Sequence, residues 1–250
     1  MRLRLFTAFT VFAALSLQAQ QFPSNQQQKL LDLTNNARMQ QGLQPLHWDP
    51  LLASAAQAHA QKMADQQNVS HQLAGEPDLQ ARAAQAGAHF REVAENVAMG
   101  PSLDDVQKQW MHSPPHRANI LDAKLTNIGI GVAQRSGYWY AAVVFDSAVD
   151  NLAVNQVEQK VADLLRQHGI DPSRPPDAAR KDCATDEGDA SGTHALFIMR
   201  WEGSNLDQLP PQLEQRLGSG RYKTASVGSC SSGQSGNQGF TTYKVAVLLY

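Results

Sequence analysis

The chain contains 250 residues, of which 42% are hydrophobic and 18% are charged. This composition is that of an ordinary globular protein rather than a disordered one, and the length allows one or two domains. The formal net charge of −2 at pH 7 gives no electrostatic reason to expect a nucleic acid or an anionic membrane surface as partner.

The first 19 residues have the pattern of a secretory signal peptide. Arg2 and Arg4 precede an apolar run of about 13 residues (5–17), and Ala19 marks the expected cleavage site. The run is too short to span a bilayer, which takes roughly 20 residues, and no later segment approaches that length. We therefore expect a secreted or periplasmic protein without a membrane span.

The segment that follows is expected to begin with a flexible leader and then to form helices. Residues 20–29 are polar and rich in glutamine, and apolar residues then recur at helical spacing up to Gly42, a typical helix stop. Asp49 caps a second predicted helix, and residues 78–87 have the pattern of a shorter one. A capping box at Ser102 begins a further helix.

From residue 127 the hydrophobic period changes from that of a helix to that of a strand. Residues 127–134 and 138–145 are predicted strands, joined by a tight turn at 135–137. Helices followed by a hairpin predict an α+β fold in which helices pack over a small antiparallel sheet.

Residues 147–250 are interpreted as a second, smaller α+β domain of unknown type with an antiparallel sheet. The predicted elements are a helix that ends at Gly169, a proline-rich connection at 171–177, a helix at 206–217, and strands at 194–201, 222–229 and 240–250.

Cys183 and Cys230 are the two cysteines of the chain. In an exported protein such a pair is interpreted as one structural disulfide. The bond would close a loop of about 48 residues and contribute roughly 4 kcal/mol on the chain-entropy description. Two unpaired buried thiols are the alternative.

His71, Glu95 and His116 are the candidate site residues. Each is predicted at a helix edge or in a loop, where a polar side chain can face a cleft without disturbing a core. Two imidazoles and a carboxylate are a ligand set that holds zinc in some catalytic sites. These residues lie more than 20 positions apart and form no H-E-x-x-H motif, so their spacing alone is weak support for a metal site.

The other histidines of this region have different interpretations. His59 lies on the apolar face of the second helix and is predicted to be a packed, hydrogen-bonded core residue. His47 and His89 fall in connections and are predicted to be exposed. His112 would point away from His116 if its helix continues, and it is kept as an alternative ligand.

Several short motifs occur in the order that is typical of one family. They are Trp48-Asp49-Pro50, Ser70-His71, Glu95-Asn96-Val97-Ala98, Trp110-Met111 and His116-Arg117-Ala118-Asn119-Ile120-Leu121. With these motifs, residues 30–146 resemble the CAP superfamily, also called the SCP or pathogenesis-related-1-like domain, in its short bacterial form. The resemblance implies a three-layer α-β-α sandwich, and it does not extend to residues 147–250.

The resemblance also implies a central cleft that contains two histidines and two acidic residues. By motif position His71 and His116 are the histidines, and Glu95 is one of the acids. The resemblance places Ser113 where longer eukaryotic members have the second acid, so a role that needs both acids is not expected.

Members of this family bind divalent cations, lipids or protein partners, which leaves the function open. One hypothesis is a secreted, non-catalytic binding module whose cleft takes a divalent metal such as zinc, or a small apolar or cell-envelope ligand. The other is a metal-assisted extracellular hydrolase, in which His71 and His116 hold the ion and Glu95 is a ligand or the general base. A protein partner that docks on residues 147–250 is a third, weaker hypothesis.

Overall fold

A computed structural model describes residues 22–185, 188–230 and 239–250. The expected signal peptide, residues 1–19, lies outside these ranges. The described residues form two units, each built on a four-stranded sheet. We call residues 22–148 the N-terminal unit and residues from 149 onward the C-terminal unit. Within the ranges above, no helix combines the length and the apolar character that crossing a membrane requires.

The N-terminal unit has three layers, with helices on both faces of its sheet. Its helices are α1 (Asn25–Met39), α2 (Pro50–Gln66), α3 (Leu79–Gln85), α4 (Leu103–His112) and α5 (Pro114–Ile120). Its strands are β1 (His47–Trp48), β2 (Phe90–Gly100), β3 (Asn127–Arg135) and β4 (Tyr138–Ala148). The strand order is β1-β3-β4-β2, and only β1 and β3 run parallel. The predicted α-β-α sandwich is therefore confirmed.

Two glycines of β3 allow α2 to lie directly on the sheet. A Cβ atom at Gly129 or at Gly131 would lie 2.1 Å from backbone atoms of α2, a distance at which no side chain fits. Ile128 and Ile130 alternate with these glycines and are fully buried in the core on the opposite face, under α1, α4 and α5.

Helix α1 begins earlier than its hydrophobic pattern predicts. Ser24 and Gln27 form a reciprocal capping box, so residues 25–29 of the expected leader are helical. The amide of Gln27 is buried and donates to the carbonyl of Ile130 at 2.8 Å. This contact with β3 explains why the helix extends to its cap.

Two elements near the candidate site were not predicted from the sequence. Residues 90–100 form β2, in which four successive residues (95–98) are buried, so the strand lacks the alternation by which strands are identified. Helix α5 is separate from α4 because Ser113, which precedes Pro114, has an extended backbone (φ −94°, ψ 115°).

The C-terminal unit also has helices on both faces of its sheet. Its elements are α6 (Val154–Gln167), β5 (Asp171–Arg174), α7 (Pro176–Cys183), β6 (Phe197–Gly203), α8 (Pro211–Leu217), β7 (Thr224–Cys230) and β8 (Tyr243–Leu249). The strand order is β5-β7-β8-β6. β5 pairs in parallel with β7, so this sheet is mixed rather than wholly antiparallel. The expected proline-rich connection at 171–177 instead contains β5 and the first turn of α7.

A disulfide joins Cys183 to Cys230, as the sequence predicts, and the alternative of two free thiols is wrong. The bond connects the end of α7 to the end of β7, 47 positions later in the chain. It therefore ties a covering helix to the sheet of the C-terminal unit.

Candidate functional site

Strand β2, helix α5 and the segment after α2 bring Glu95, His116 and His71 together. Nδ1 of His71 lies 3.0 Å from Oε2 of Glu95. The ring centroids of His71 and His116 are 6.3 Å apart, with the ring planes tilted by 43°. The fold thus brings side chains that are far apart in the sequence into one cluster, which we call the histidine cleft.

The carboxylate of Glu95 is buried, and both of its oxygens have partners. Nη2 of Arg82, on α3, donates to Oε1 at 2.6 Å, and the ring of His71 lies at Oε2. The side chains of Arg82 and Glu95 are only 7% and 2% exposed. Arg82 also donates to the carbonyl of His71 at 3.0 Å, so one guanidinium fixes both members of the pair.

The two histidines differ in their electrostatic environment. The hydrogen bond to Glu95 raises the pKa of His71, although partial burial and the charge of Arg82 oppose this effect. Burial, and then the neighbouring His71, lower the pKa of His116, so its imidazole is neutral at pH 7. Because a carboxylate only accepts hydrogen bonds, Nδ1 of His71 carries a proton, and Nε2 is the nitrogen that offers a lone pair when the ring is neutral.

Two asparagines attach α5 to β2 beside Glu95. Nδ2 of Asn96 donates to the carbonyl of His116 at 2.9 Å. Nδ2 of Asn119 donates to Oδ1 of Asn96 at 2.9 Å and to the carbonyl of Glu95 at 3.2 Å. These bonds set the position of His116 relative to Glu95.

Arg82, Asn96 and Asn119 were not identified as site residues by sequence reasoning, although all three belong to the matched motifs or the short predicted helix. Two of them are close in the sequence to predicted site residues, which is the signal that could have identified them: Asn96 directly follows Glu95, and Asn119 lies one helical turn after His116. Periodicity could not assign them partners, since each bonds to a residue on another element.

Ser113 and His116 lie together along a cleft of about 430 Å³ with a mostly apolar lining. The lining residues are Val69, Val97, Ala98, Met99, Gln109, Trp110, Ser113 and His116. The hydroxyl of Ser113 makes no capping hydrogen bond to α5. At the position where the longer relatives are expected to carry an acid, this chain thus has a small neutral side chain next to an apolar surface.

The remaining histidines near this region do not join the pair. His59 is fully buried, with Nδ1 2.8 Å from Glu76 and Nε2 2.8 Å from the carbonyl of Ser70, which confirms it as a hydrogen-bonded core residue. His112 is exposed, and its Nδ1 donates to the carbonyl of Lys108 on its own helix.

The predictions for the two histidines in connections have different outcomes. His47 is exposed, as predicted. His89 is half-buried, because its ring lies 3.1 Å from the hydroxyl of Thr241 in the C-terminal unit, so the prediction that it is solvent-exposed is wrong.

Throughout the described ranges, no group of three or more histidine, cysteine or acidic side chains is arranged to hold a metal ion. The histidine cleft offers two imidazoles, and the third candidate, Glu95, is already engaged by Arg82 and His71. A metal bound here would therefore have few protein ligands and open coordination positions.

Comparison with known proteins places the N-terminal unit in one family. The sequence profile of the cysteine-rich secretory protein family (CAP) matches residues 31–147. The chain is 35% identical to protein YkwD of Bacillus subtilis (strain 168) over 116 residues, which are 45% of this chain and 44% of that protein. It is 30% identical to pathogenesis-related leaf protein 6 of Solanum lycopersicum over 128 residues, which are 49% of this chain and 77% of that protein.

A solved structure of an extracellular SCP-domain protein from Bacillus anthracis str. Ames is also similar, with 28% identity and a TM-score of 0.45. The match covers 48% of this chain and 40% of that one. The chain thus spans less than half of the length of YkwD and of this structure. Because the match to the tomato protein extends over most of that relative, the chain belongs to the cysteine-rich secretory protein (CAP) family.

Proposed function

We propose that the protein is an exported, non-catalytic binding module whose histidine cleft takes a divalent metal such as zinc, together with a small apolar or cell-envelope ligand. The observation that carries the proposal is the hydrogen bond between Nδ1 of His71 and the buried carboxylate of Glu95. In metal-binding histidines, the nitrogen that does not bind the metal usually donates to a carboxylate or a carbonyl in this way.

The two imidazoles lie close to the separation that a shared ion needs. On a tetrahedral zinc ion with Zn–N bonds of about 2.1 Å, the centroids of two bound imidazoles are roughly 5.3 Å apart. The centroids of His71 and His116 are 6.3 Å apart. The rings must therefore approach each other by about 1 Å to bind one ion. His116 is neutral at pH 7 because its pKa is lowered, and a neutral ring is the form that binds metal. Glu95 enters this proposal as the partner that orients His71 rather than as a ligand.

The apolar cleft beside His116 supports the second part of the proposal. Its lining includes the buried Trp110 and also Met99, which is 43% exposed. An exposed methionine is a flexible apolar contact that adapts to different ligands. A ligand with a polar group at the histidines and an apolar part along this cleft would use both features.

The alternative of a metal-assisted hydrolase is less well supported by the geometry. A general base must reach the proton that it abstracts. Arg82 and His71 occupy the two carboxylate oxygens of Glu95, and the Glu95 side chain is only 2% exposed, so it is poorly placed to take a proton from a substrate or a water molecule. Ser113, at the position of the second acid, cannot take over this role at neutral pH.

The proposal that the protein is exported rests on two features. Residues 1–19 have the signal-peptide pattern, and a disulfide joins Cys183 and Cys230. Disulfides persist in oxidising compartments such as the periplasm and the extracellular space.

Calorimetric titration of zinc into the metal-stripped protein tests the proposal. We expect one binding site in the wild type, which is lost in the double variant His71→Ala/His116→Ala. The matched control is His168→Ala, which removes an exposed imidazole from the C-terminal unit and should leave the site intact. Absence of binding in the wild type, or equal binding in the double variant, would contradict the proposal. Turnover of a peptide, lipid or glycan that Glu95→Gln abolishes would favour the hydrolase.

A further inference from the structure

We infer that residues 239–241 of the C-terminal unit are a positioning element of the histidine cleft, which acts through α3 and Arg82. The C-terminal unit would then be a support for the cleft rather than an independent appendage. The expected effect on zinc affinity rests on the proposed function, whereas the expected effect on hydrogen–deuterium exchange does not.

The segment pairs with the first residue of β2 like a short additional strand. The N–H of Phe90 donates to the carbonyl of Gly239, and the N–H of Thr241 donates to the carbonyl of Phe90, both at 3.0 Å. These bonds form a parallel bridge between Phe90 and Phe240. The hydroxyl of Thr241 also lies 3.1 Å from the ring of His89. The segment therefore extends the sheet of the N-terminal unit beyond β2.

The side chain of Phe240 packs into the core of the N-terminal unit. Its ring contacts that of Phe90 edge-on, with centroids 5.0 Å apart and planes at 75°. It belongs to the apolar cluster between α2, α3 and the sheet, which includes Leu73 and the fully buried Ala83. Edge-on aromatic pairs add to the stabilisation from burial alone.

Gly239 brings the backbone of the segment directly against α3. A Cβ atom at this position would lie 2.6 Å from the ring of Phe90 and 3.1 Å from Cβ of Ala84. Its φ of +74° is also one that other residues rarely adopt. The contact thus requires glycine both for space and for backbone conformation.

Helix α3 connects this contact to the cleft. Ala83 and Ala84 pack toward Phe90 and the segment, and the preceding Arg82 donates to Glu95 and to the carbonyl of His71. A helix of seven residues is not stable without tertiary packing. Support for α3 from Phe240 is therefore support for Arg82, and through it for the orientation of His71.

The segment that carries His71 rests on the same cluster. Leu73, two positions after His71, belongs to the cluster of Ala83 and Phe90, and Val69, two positions before His71, packs against that cluster, as Phe240 does. Truncating the ring of Phe240 would thus loosen His71 through this cluster as well as through Arg82.

Hydrogen–deuterium exchange on the metal-free full-length protein tests the inference. We expect amides of residues 69–85 to exchange about tenfold faster in Phe240→Ala than in the wild type, because local opening becomes easier when packing is lost. The matched control is Phe197→Ala, which removes a phenyl ring that packs against the core of the C-terminal unit. It should leave exchange at 69–85 unchanged.

Phe240→Leu, which keeps apolar volume, should give exchange rates between those of the wild type and Phe240→Ala, and it replaces the alanine variant if that variant does not fold. Zinc affinity should weaken about tenfold in Phe240→Ala and remain unchanged in Phe197→Ala. Unchanged exchange at 69–85 in both Phe240 variants, or an equal effect of Phe197→Ala, would overturn the inference. If the wild type binds no zinc, the proposed function fails, and the exchange data still decide the inference.

Discussion

Replacing Arg82 by methionine tests the buried ion pair on which the histidine cleft depends. Methionine keeps much of the apolar stem and removes the guanidinium. In the folded protein this group is 7% exposed and donates to Oε1 of Glu95 at 2.6 Å. It also donates to the carbonyls of His71 and Pro77, at 3.0 and 3.1 Å.

The expected loss of unfolding free energy is about 4 kcal/mol. Removing one partner of a buried ion pair costs about 3–5 kcal/mol, because the other charge stays buried without compensation. The two carbonyls add to this loss only where water does not replace the guanidinium. A loss of about 4 kcal/mol is a large part of the stability of an ordinary domain.

An exposed ion pair of the same unit provides the control. Arg135 lies 3.6 Å from Asp65, and the two side chains are 48% and 58% exposed. Exposed pairs contribute about 0–1 kcal/mol, so Arg135→Met should change stability by less than about 1 kcal/mol.

Urea unfolding followed by tryptophan fluorescence measures both variants. The N-terminal unit contains Trp48, Trp110 and Trp139, so the signal reports mainly on this unit. The double variant Arg82→Met/Glu95→Gln removes both charges and should recover part of the loss. If Arg82→Met costs no more than Arg135→Met, the argument from burial is wrong.

Three further predictions concern pH and the disulfide. Asp146 is 1% exposed, and burial raises its pKa from 3.8 to about 7. The folded protein therefore disfavours ionised Asp146, and it loses stability as the pH rises from about 4 to about 7. Asp146→Asn removes this penalty and should stabilise the protein by up to about 4 kcal/mol at pH 8. The gain measured by urea unfolding should be smaller at pH 5, and an equal gain at both values would contradict this reasoning. Zinc affinity should fall on acidification, beginning above the ordinary imidazole pKa of 6.5 because Glu95 raises the pKa of His71. Calorimetry that gives one constant affinity from pH 8 to pH 5 would argue against this ligand. Reducing the bond between Cys183 and Cys230 should cost about 4 kcal/mol. Circular dichroism melts with and without reductant measure this loss, and identical midpoints would show that the bond contributes nothing.

The sequence by itself determined the elements whose signal is local. The cap at Asp49 and the apolar face that includes His59 predict α2, and the structure confirms both. The capping signal at Ser102 predicts α4, and the structure confirms Ser102 as the N-cap, which accepts from the N–H of Asp105; the Asp105 carboxylate accepts from the Ser102 hydroxyl instead of completing a capping box. The change of period at residue 127 predicts the hairpin of β3 and β4. Each of these patterns depends on residues within one or two turns, so a single stretch of chain contains the whole signal.

Tertiary structure alone decided β2, because a strand that is covered on both faces has no alternation to detect. It also decided which side chains meet at the cleft. Arg82 and Glu95 are 13 positions apart, and Asn119 bonds to a carbonyl 24 positions away. Phe240 packs against Phe90 from the other unit. Partners so distant leave no periodic signal in the sequence, since their contact depends on how the layers pack and not on the spacing within any one element.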